Sequence, residues 1–185
     1  PDHDTALAQR FRHGREYASR KLIAGPLRRN DRSTFTDIVL RTLPMIFETS
    51  TQVRFAHVDP AGIVFYPRYF EMVNGAVEDW FAQSLGASFK TMHIDGGYGT
   101  PTVKLEVTFL SPSHLGDELT IRITPRVLGR TSCHINVVFT GEGRDRLNAD
   151  IVLVCMDLND HKARPWPDFI REKIAAQLVE APSQA

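Results

Sequence analysis

The chain has 185 residues, of which 42% are apolar and 24% are charged, and its formal net charge is zero. This composition predicts one globular domain with a substantial core and excludes a chain too polar to fold. Residues 1–44 hold nine Lys and Arg against five Asp and Glu, whereas residues 45–185 hold thirteen against seventeen. The larger part is mildly acidic, which argues against a body that binds nucleic acid.

Cysteine usage and hydropathy indicate the compartment. Cys133 and Cys155 lie in alternating apolar runs, so we expect buried reduced thiols and no disulfide framework. No run approaches the roughly 18 uninterrupted apolar residues of a membrane span, and the first residues lack the apolar core of a secretory signal. We therefore expect a cytoplasmic protein that has no membrane partner.

The chain is expected to divide at residue 44. Residues 1–44 are basic and weakly patterned, which is typical of a mobile N-terminal arm. Residues 45–185 show regular apolar periodicity and are interpreted as the folded domain.

A strand followed by a long helix opens this domain. Alternation predicts the strand over Thr49–Phe55, and helical spacing predicts the helix over Tyr66–Leu85. Pro67 suits the first turn of the helix and Gly86 its end. The predicted apolar stripe comprises Phe70, Val73, Val77, Trp80 and Phe81. A loop is expected over Ile94–Pro101.

Four strand-like runs follow, joined by linkers short enough for antiparallel neighbours. The first three are expected to place apolar residues on one face: Val103, Leu105, Val107 and Phe109; Leu119, Ile121, Ile123 and Val127; Cys133, Ile135, Val137 and Phe139. The fourth, Leu147–Leu158, is apolar on both faces, as a central strand is. A short helix is predicted over Pro167–Leu178. This order predicts an α+β domain in which an antiparallel sheet wraps one helix.

An aspartate before the long helix carries the candidate chemistry. Asp59 directly precedes Pro60, which restricts its backbone to extended conformations, and Gly62 permits a tight turn before Tyr66. The first N–H groups of a helix lack internal partners and lie at the positive end of its dipole, so they stabilise a developing oxyanion. With Asp59 as nucleophile or general base, this is the minimum set for acyl transfer. The alternative is an ordinary turn with a solvated aspartate.

Other polar residues leave alternatives open. His57 lies two residues before Asp59, so the pair can share a proton if the chain is extended, or His57 is polar surface. Leu128–Ser132 offers an arginine and two hydroxyls to a phosphate, although a plain hairpin has the same composition. The remaining histidines show no metal-ligand spacing, so we expect neither a metal nor another cofactor.

Four segments together resemble a known family. "VRFAHVDPAGIVFYPRYFE", "YGTP", "LEVTFLSPSHLGD" and "VLGRTS" are similar to the 4-hydroxybenzoyl-CoA thioesterase family of hotdog-fold proteins, over about residues 47–170. The resemblance implies an α+β hotdog fold, with a long central helix wrapped by an antiparallel β-sheet. It also implies homodimers or homotetramers whose active sites lie at the subunit interface.

The resemblance also assigns roles to residues. It implies that Asp59 attacks the thioester or activates water, and that the backbone N–H of Tyr66 polarises the thioester carbonyl. It implies that Arg130 contacts the phosphates of coenzyme A, with Thr131 and Ser132 as weaker candidates. Gly99, Thr100 and His57 are further candidates for contacts to the substrate or to CoA.

These observations predict an acyl-CoA thioesterase that releases a carboxylic acid and free CoA. An aromatic acyl group such as 4-hydroxybenzoyl or benzoyl is favoured, and a short aliphatic acyl group is the alternative. Two other classes remain open. An acyl-CoA-sensing regulator would use the arm to bind DNA, but the arm lacks the two apolar helices of a helix-turn-helix. A hotdog dehydratase would use a His/Asp pair.

Overall fold

The computed structural model describes residues 46–179, so the predicted arm at residues 1–44 lies outside the described residues. The strands of the described part are β1 Phe47–Gln52, β2 Tyr98–Gly99, β3 Thr102–Phe109, β4 Glu118–Leu128, β5 Ser132–Gly141, β6 Arg144–Val154 and β7 Met156–Asp157. Its α-helices are α1 Tyr66–Asp79 and α2 Asp168–Ala175. Short turns of 3-10 and π-helix complete it at Phe55–His57, Trp80–Leu85 and Thr91–Asp95.

Five strands form an antiparallel sheet in the order β1-β4-β5-β6-β3. The short linkers predicted antiparallel neighbours, and β4, β5 and β6 do pair in sequence. β1 and β3 form the two edges of this sheet, while β2 and β7 pair separately. The chain thus crosses from β3 at one edge to β4 next to β1, and then returns through β5 to β6 beside β3.

The core lies between α1 and the inner face of the sheet. Alternation in β4, β5 and β6 buries one residue in two: Leu119, Ile121, Ile123, Cys133, Ile135, Val137, Phe139, Leu147, Ala149, Ile151 and Leu153. The Tyr69 ring of α1 packs against Phe139 of β5, with centroids 5.7 Å apart. Each large apolar side chain buried here contributes about 1.5–3 kcal/mol of transfer free energy, which holds the helix on the sheet.

The long helix begins and ends where the sequence predicts. It starts at Tyr66 with Pro67 in the first turn, and the helical path ends at Gly86, whose φ of 68° is left-handed. The last six residues, Trp80–Leu85, form π-helix instead of α-helix. The buried stripe differs from the predicted one at its start, because Tyr69 faces the core whereas Phe70 is only half-buried.

The predicted apolar face of β4 is wrong at Val127. In β4, Pro125 pairs with Ile135 but Val127 pairs with His134, so Arg126 is an extra residue in the strand. This bulge reverses the alternation, and Val127 is 54% exposed. Sequence alternation alone cannot locate such an insertion.

The other strand predictions differ in smaller ways. β1 ends at Gln52 because the next residue, Val53, donates its N–H to the Asp117 carbonyl of a loop. The predicted loop at Ile94–Pro101 contains the short β2. β6 is an inner strand, but its outer face is polar near Asn148 and Asp150, both of which accept hydrogen bonds from the side chain of Asn136.

Burial determines the ionisation of both thiols. Cys133 and Cys155 are buried and unpaired, as predicted. Burial favours the neutral thiol, and it raises the pKa of Cys133 to about 12 and that of Cys155 to about 11.

No helix within residues 46–179 is both long and apolar enough to cross a bilayer.

Candidate active site

The segment before α1 forms a tight hairpin. The Phe65 N–H donates to the His57 carbonyl at 2.9 Å, and the Asp59 N–H donates to the Ile63 carbonyl at 3.0 Å. Gly62 donates to the Asp59 carbonyl and has a φ of 78°, a left-handed conformation that favours glycine. The turn therefore places Asp59 opposite Ile63 and leads directly into the helix.

The Asp59 carboxylate has two different oxygens. Oδ1 accepts the Ala61 N–H at 2.8 Å, which is the bond that fixes the turn. Oδ2 has no hydrogen-bond partner among residues 46–179. One oxygen thus orients the side chain while the other is available for chemistry.

The start of α1 supplies an unused donor. Arg68 donates its N–H to the Phe65 carbonyl, Pro67 has no N–H, and within the described residues the Tyr66 N–H has no partner. This donor lies at the positive end of a 14-residue helix. Asp59 therefore lies in the hairpin that leads directly into the helix whose first N–H is free within the described residues.

An apolar cavity of about 320 Å³ lies between the start of α1 and the end of β3. Its walls are mainly apolar and aromatic: Ile63, Val64, Tyr66, Tyr69, Phe109 and Leu110. Ile63, whose carbonyl accepts the Asp59 N–H, belongs to this wall. We call this space the apolar cavity.

A buried arginine holds the far wall of the apolar cavity. Arg146 of β6 is 4% exposed and donates to the Pro112 carbonyl at 2.6 Å. It also forms ion pairs with Asp117 at 3.4 Å and Glu142 at 3.1 Å. The sequence did not predict a role for Arg146, because "GEGRDR" has the composition of a linker. In the structure β6 already starts at Arg144.

His57 is not hydrogen-bonded to Asp59 in the described residues. Its Nδ1 accepts the Arg54 N–H at 3.0 Å, and its side chain lines a second cavity of about 270 Å³ between β1 and α1. Glu71 lines that second cavity too, and it forms an ion pair with Arg68 at 2.6 Å. The hydrogen-bonded His/Asp pair of a dehydratase is thus not formed here.

The predicted phosphate-contact residues lie in the β4–β5 hairpin. The Arg130 carbonyl accepts the Trp166 N–H, and the Thr131 carbonyl accepts the Cys155 N–H. Arg171 of α2 donates to the Gly129 carbonyl at 2.6 Å, which brings a second guanidinium to this turn. The Arg130 side chain is exposed and forms no ion pair within residues 46–179.

Gly99 and Thr100 lie at the same end of the sheet as this hairpin. The next residue, Pro101, accepts the N–H of Val154, and Val154 pairs with Ser132. A Cβ on Gly99 would lie 2.8 Å from His93 Nε2, so this position requires glycine unless the imidazole moves. The Thr100 hydroxyl is buried and has no partner among the described residues.

A single chain therefore separates the predicted site into two groups. Glu118, at the first end of β4, pairs with Gln52 near the Asp59 hairpin, whereas Leu128, at the other end, precedes the Arg130 turn. At about 3.3 Å per residue, β4 places these ends about 30 Å apart. Asp59 and Tyr66 belong to the first group, and the second comprises Arg130, Thr131, Ser132, Gly99 and Thr100.

Residues 46–179 contain no cluster of three or more His, Cys, Asp or Glu side chains that could hold a metal ion.

Comparison with known proteins gives a consistent result. Residues 53–174 match the family model of the thioesterase-like superfamily. A 1,4-dihydroxy-2-naphthoyl-CoA hydrolase from Thermosynechococcus vestitus is 30% identical over 72% of this chain and 88% of its own length.

Solved structures share the fold. A gentisyl-coenzyme A thioesterase is 26% identical with a TM-score of 0.63, covering 69% of this chain and 99% of its own. A 1,4-dihydroxy-2-naphthoyl-CoA thioesterase from Synechocystis is 24% identical with a TM-score of 0.65, covering 70% and 96%. The predicted hotdog fold is confirmed, with one long helix against a five-stranded antiparallel sheet. The chain belongs to the thioesterase-like superfamily and is a thioester hydrolase.

Proposed function

We propose that this thioester hydrolase cleaves aromatic acyl-CoA thioesters, with the acyl group in the apolar cavity. The observation that carries the proposal is the position of that cavity. Tyr66, whose N–H is free within residues 46–179, lines it together with two further aromatic residues, Tyr69 and Phe109. A flat aromatic ring packs favourably against such walls.

Asp59 is the proposed catalytic carboxylate. As a nucleophile, its Oδ2 forms a bond to the thioester carbon, the C–S bond breaks, and the CoA thiolate takes a proton from water. Water then hydrolyses the resulting anhydride and regenerates the carboxylate. As a general base, Oδ2 instead takes a proton from the water that attacks. In both routes the Tyr66 N–H donates to the oxyanion, a contact worth roughly 3–4 kcal/mol of barrier.

A homodimer is the proposed minimal unit. The edge strand β3 exposes apolar side chains, with Val103 61%, Leu105 40% and Phe109 49% exposed. An unprotected apolar edge is a template for pairing with another strand. Antiparallel pairing with the partner's β3 would place the Phe109 end of one strand against the partner's Thr102.

This pairing would also join the two groups of site residues. The apolar cavity of one subunit would face the partner's Thr100 and, two to three strands further at about 4.8 Å each, the partner's Arg130. We propose that the partner's Arg130 contacts a phosphate of CoA, because an exposed guanidinium that forms no ion pair within residues 46–179 is available for that contact. Thr131, Ser132 and Gly99 would lie along the same path. His57, which lines the other cavity, is the least supported of the predicted contacts.

A substrate panel tests the proposal. It compares kcat/KM for 1,4-dihydroxy-2-naphthoyl-CoA, 4-hydroxybenzoyl-CoA, benzoyl-CoA and phenylacetyl-CoA with that for acetyl-CoA and butyryl-CoA. We expect the aromatic thioesters to exceed the aliphatic ones by at least about tenfold, since the aromatic ring buries far more apolar area. A preference for butyryl-CoA would favour the short-chain alternative, and no thiol release from any ester would overturn the proposal.

A further inference from the structure

Two buried hydroxyls lie at the wall of the apolar cavity. The Tyr69 hydroxyl donates to Ser113 Oγ at 2.8 Å, and the two residues are 3% and 0% exposed. Tyr69 lines the cavity, and its ring is held by Phe109 and Phe139 at centroid distances of 5.8 and 5.7 Å. The Tyr69 side chain is therefore held in place in a mainly apolar wall.

The pair has one hydrogen more than it uses. Each hydroxyl carries one hydrogen and accepts up to two, and the Tyr69–Ser113 bond consumes a single hydrogen. Within residues 46–179 neither side chain has a further partner. In contrast, Ser111 in the same wall donates to the Asp145 carbonyl at 2.7 Å, and Tyr66 is 58% exposed to water. Buried polar groups are almost always satisfied, so a ligand group is the natural partner for this spare capacity.

The position of Tyr69 suits a substituent on the acyl ring. Tyr69 follows Tyr66 by three residues, which is about 4.5 Å along the helix axis. A thioester carbonyl bound at the Tyr66 N–H would therefore leave an attached ring beside the Tyr69 side chain. A hydroxyl both donates and accepts, so it pairs with Tyr69 in either orientation of the Tyr69–Ser113 bond.

We propose that Tyr69 selects aromatic acyl groups that carry a ring hydroxyl. This inference rests on the proposed function, and it assigns the specificity of the same site to one side chain. Beside a ring with hydrogen in place of the hydroxyl, the Tyr69–Ser113 bond would remain, but the second hydrogen of the pair would face carbon. Sites built to bond a substrate hydroxyl discriminate strongly against analogues that lack it.

The test compares matched substrates that differ by one hydroxyl. The pairs are benzoyl-CoA with 3- and 4-hydroxybenzoyl-CoA, and 2-naphthoyl-CoA with 1-hydroxy-2-naphthoyl-CoA. For the wild-type chain we expect kcat/KM to favour one hydroxylated member of a pair by at least about tenfold. Tyr69→Phe keeps the ring and should reduce that ratio to near one. The ratio does not depend on the fraction of folded enzyme.

Two further variants complete the design. Ser113→Ala leaves the phenol in the wall, so the hydroxyl preference should persist. Tyr98→Phe removes a phenol hydroxyl from another largely buried tyrosine outside this cavity and should leave the ratio unchanged.

Three outcomes would overturn the inference. The first is an active wild-type chain that shows no preference for the hydroxylated esters. The second is a Tyr69→Phe variant that loses activity equally on both esters of a pair. The third is a preference that is lost in Ser113→Ala but kept in Tyr69→Phe. Failure to hydrolyse any aromatic ester would instead contradict the proposed function.

Discussion

The two ends of the sheet differ in chemistry. The end near Asp59 has an apolar cavity, together with a carboxylate oxygen and a backbone N–H that have no partner among residues 46–179. The opposite end has exposed Arg130, with Arg171 bonded to the same turn and the buried hydroxyl of Thr100 close by. The first end suits an acyl group and its reaction, and the second suits recognition of anions. An acyl-CoA needs both, which one chain holds about 30 Å apart.

The strongest test of this comparison removes the carboxylate. Asp59→Asn keeps an oxygen that can accept the Ala61 N–H, so the turn should persist. The amide is neither nucleophile nor base, and we expect kcat to fall at least about 100-fold, equivalent to about 2.7 kcal/mol. Released thiol is measured with the preferred ester, and circular dichroism reports the fold.

Asp160→Asn is the matched control. Asp160 also accepts the N–H of the second residue after it, that of Lys162 at 3.0 Å, but it lies far along the chain in an exposed turn. Its activity should equal that of the wild type. Activity of Asp59→Asn above about a tenth of wild type would remove Asp59 from the chemistry.

A mixing experiment tests whether the two ends meet between chains. Asp59→Asn chains are refolded together with Arg130→Ala chains. If each site takes its acid from one chain and its arginine from the other, about a quarter of all sites regain both groups on random two-fold pairing. kcat/KM at low substrate should rise to about a quarter of the wild-type value. Activity equal to the mean of the two parents would place both groups of a site on one chain.

Arg130→Ala alone should have a smaller effect. The proposed phosphate contact is equal in the ground and transition states, so KM should rise about tenfold with kcat nearly unchanged. An acyl-pantetheine ester lacks the nucleotide phosphates and should show the same KM with both proteins. An unchanged KM for the CoA ester would mean that Arg130 makes no substrate contact.

The smallest effect is expected away from both ends. Gly75 is exposed within α1, and a Cβ there would have nothing within 4 Å. Gly75→Ala should raise the free energy of unfolding by about 0.5–1 kcal/mol, because alanine loses less backbone entropy in a helix. Urea denaturation measures the change. A decrease in stability would show that the position is more crowded than its surroundings indicate.

Local chemistry made the helix and the turn before it predictable. Pro67 and Gly86 bound the helical path because each residue acts on its own backbone. Asp59, Pro60 and Gly62 define the turn in the same way. Strand alternation correctly predicted the inner face of β5, whose spacing is unbroken.

Long-range features could not be predicted in this way. The bulge at Arg126 depends on how β4 and β5 align, and the exposure of β3 depends on its place at the sheet edge. The distance between Asp59 and Arg130 follows from β1 pairing with β4, a contact between strands far apart in sequence. Ser113 carried no signal, because its role comes from a bond to Tyr69, 44 residues away.

The buried state of the two thiols determines how the reaction can be followed. With pKa values of about 12 and about 11, Cys133 and Cys155 contain at most about one thiolate per thousand at pH 8. An aromatic disulfide reagent reacts with thiolates and so should leave the folded chain unlabelled. These are the only cysteines in the 185 residues. The colour developed in a continuous assay should therefore report liberated coenzyme A alone, without a background from the protein.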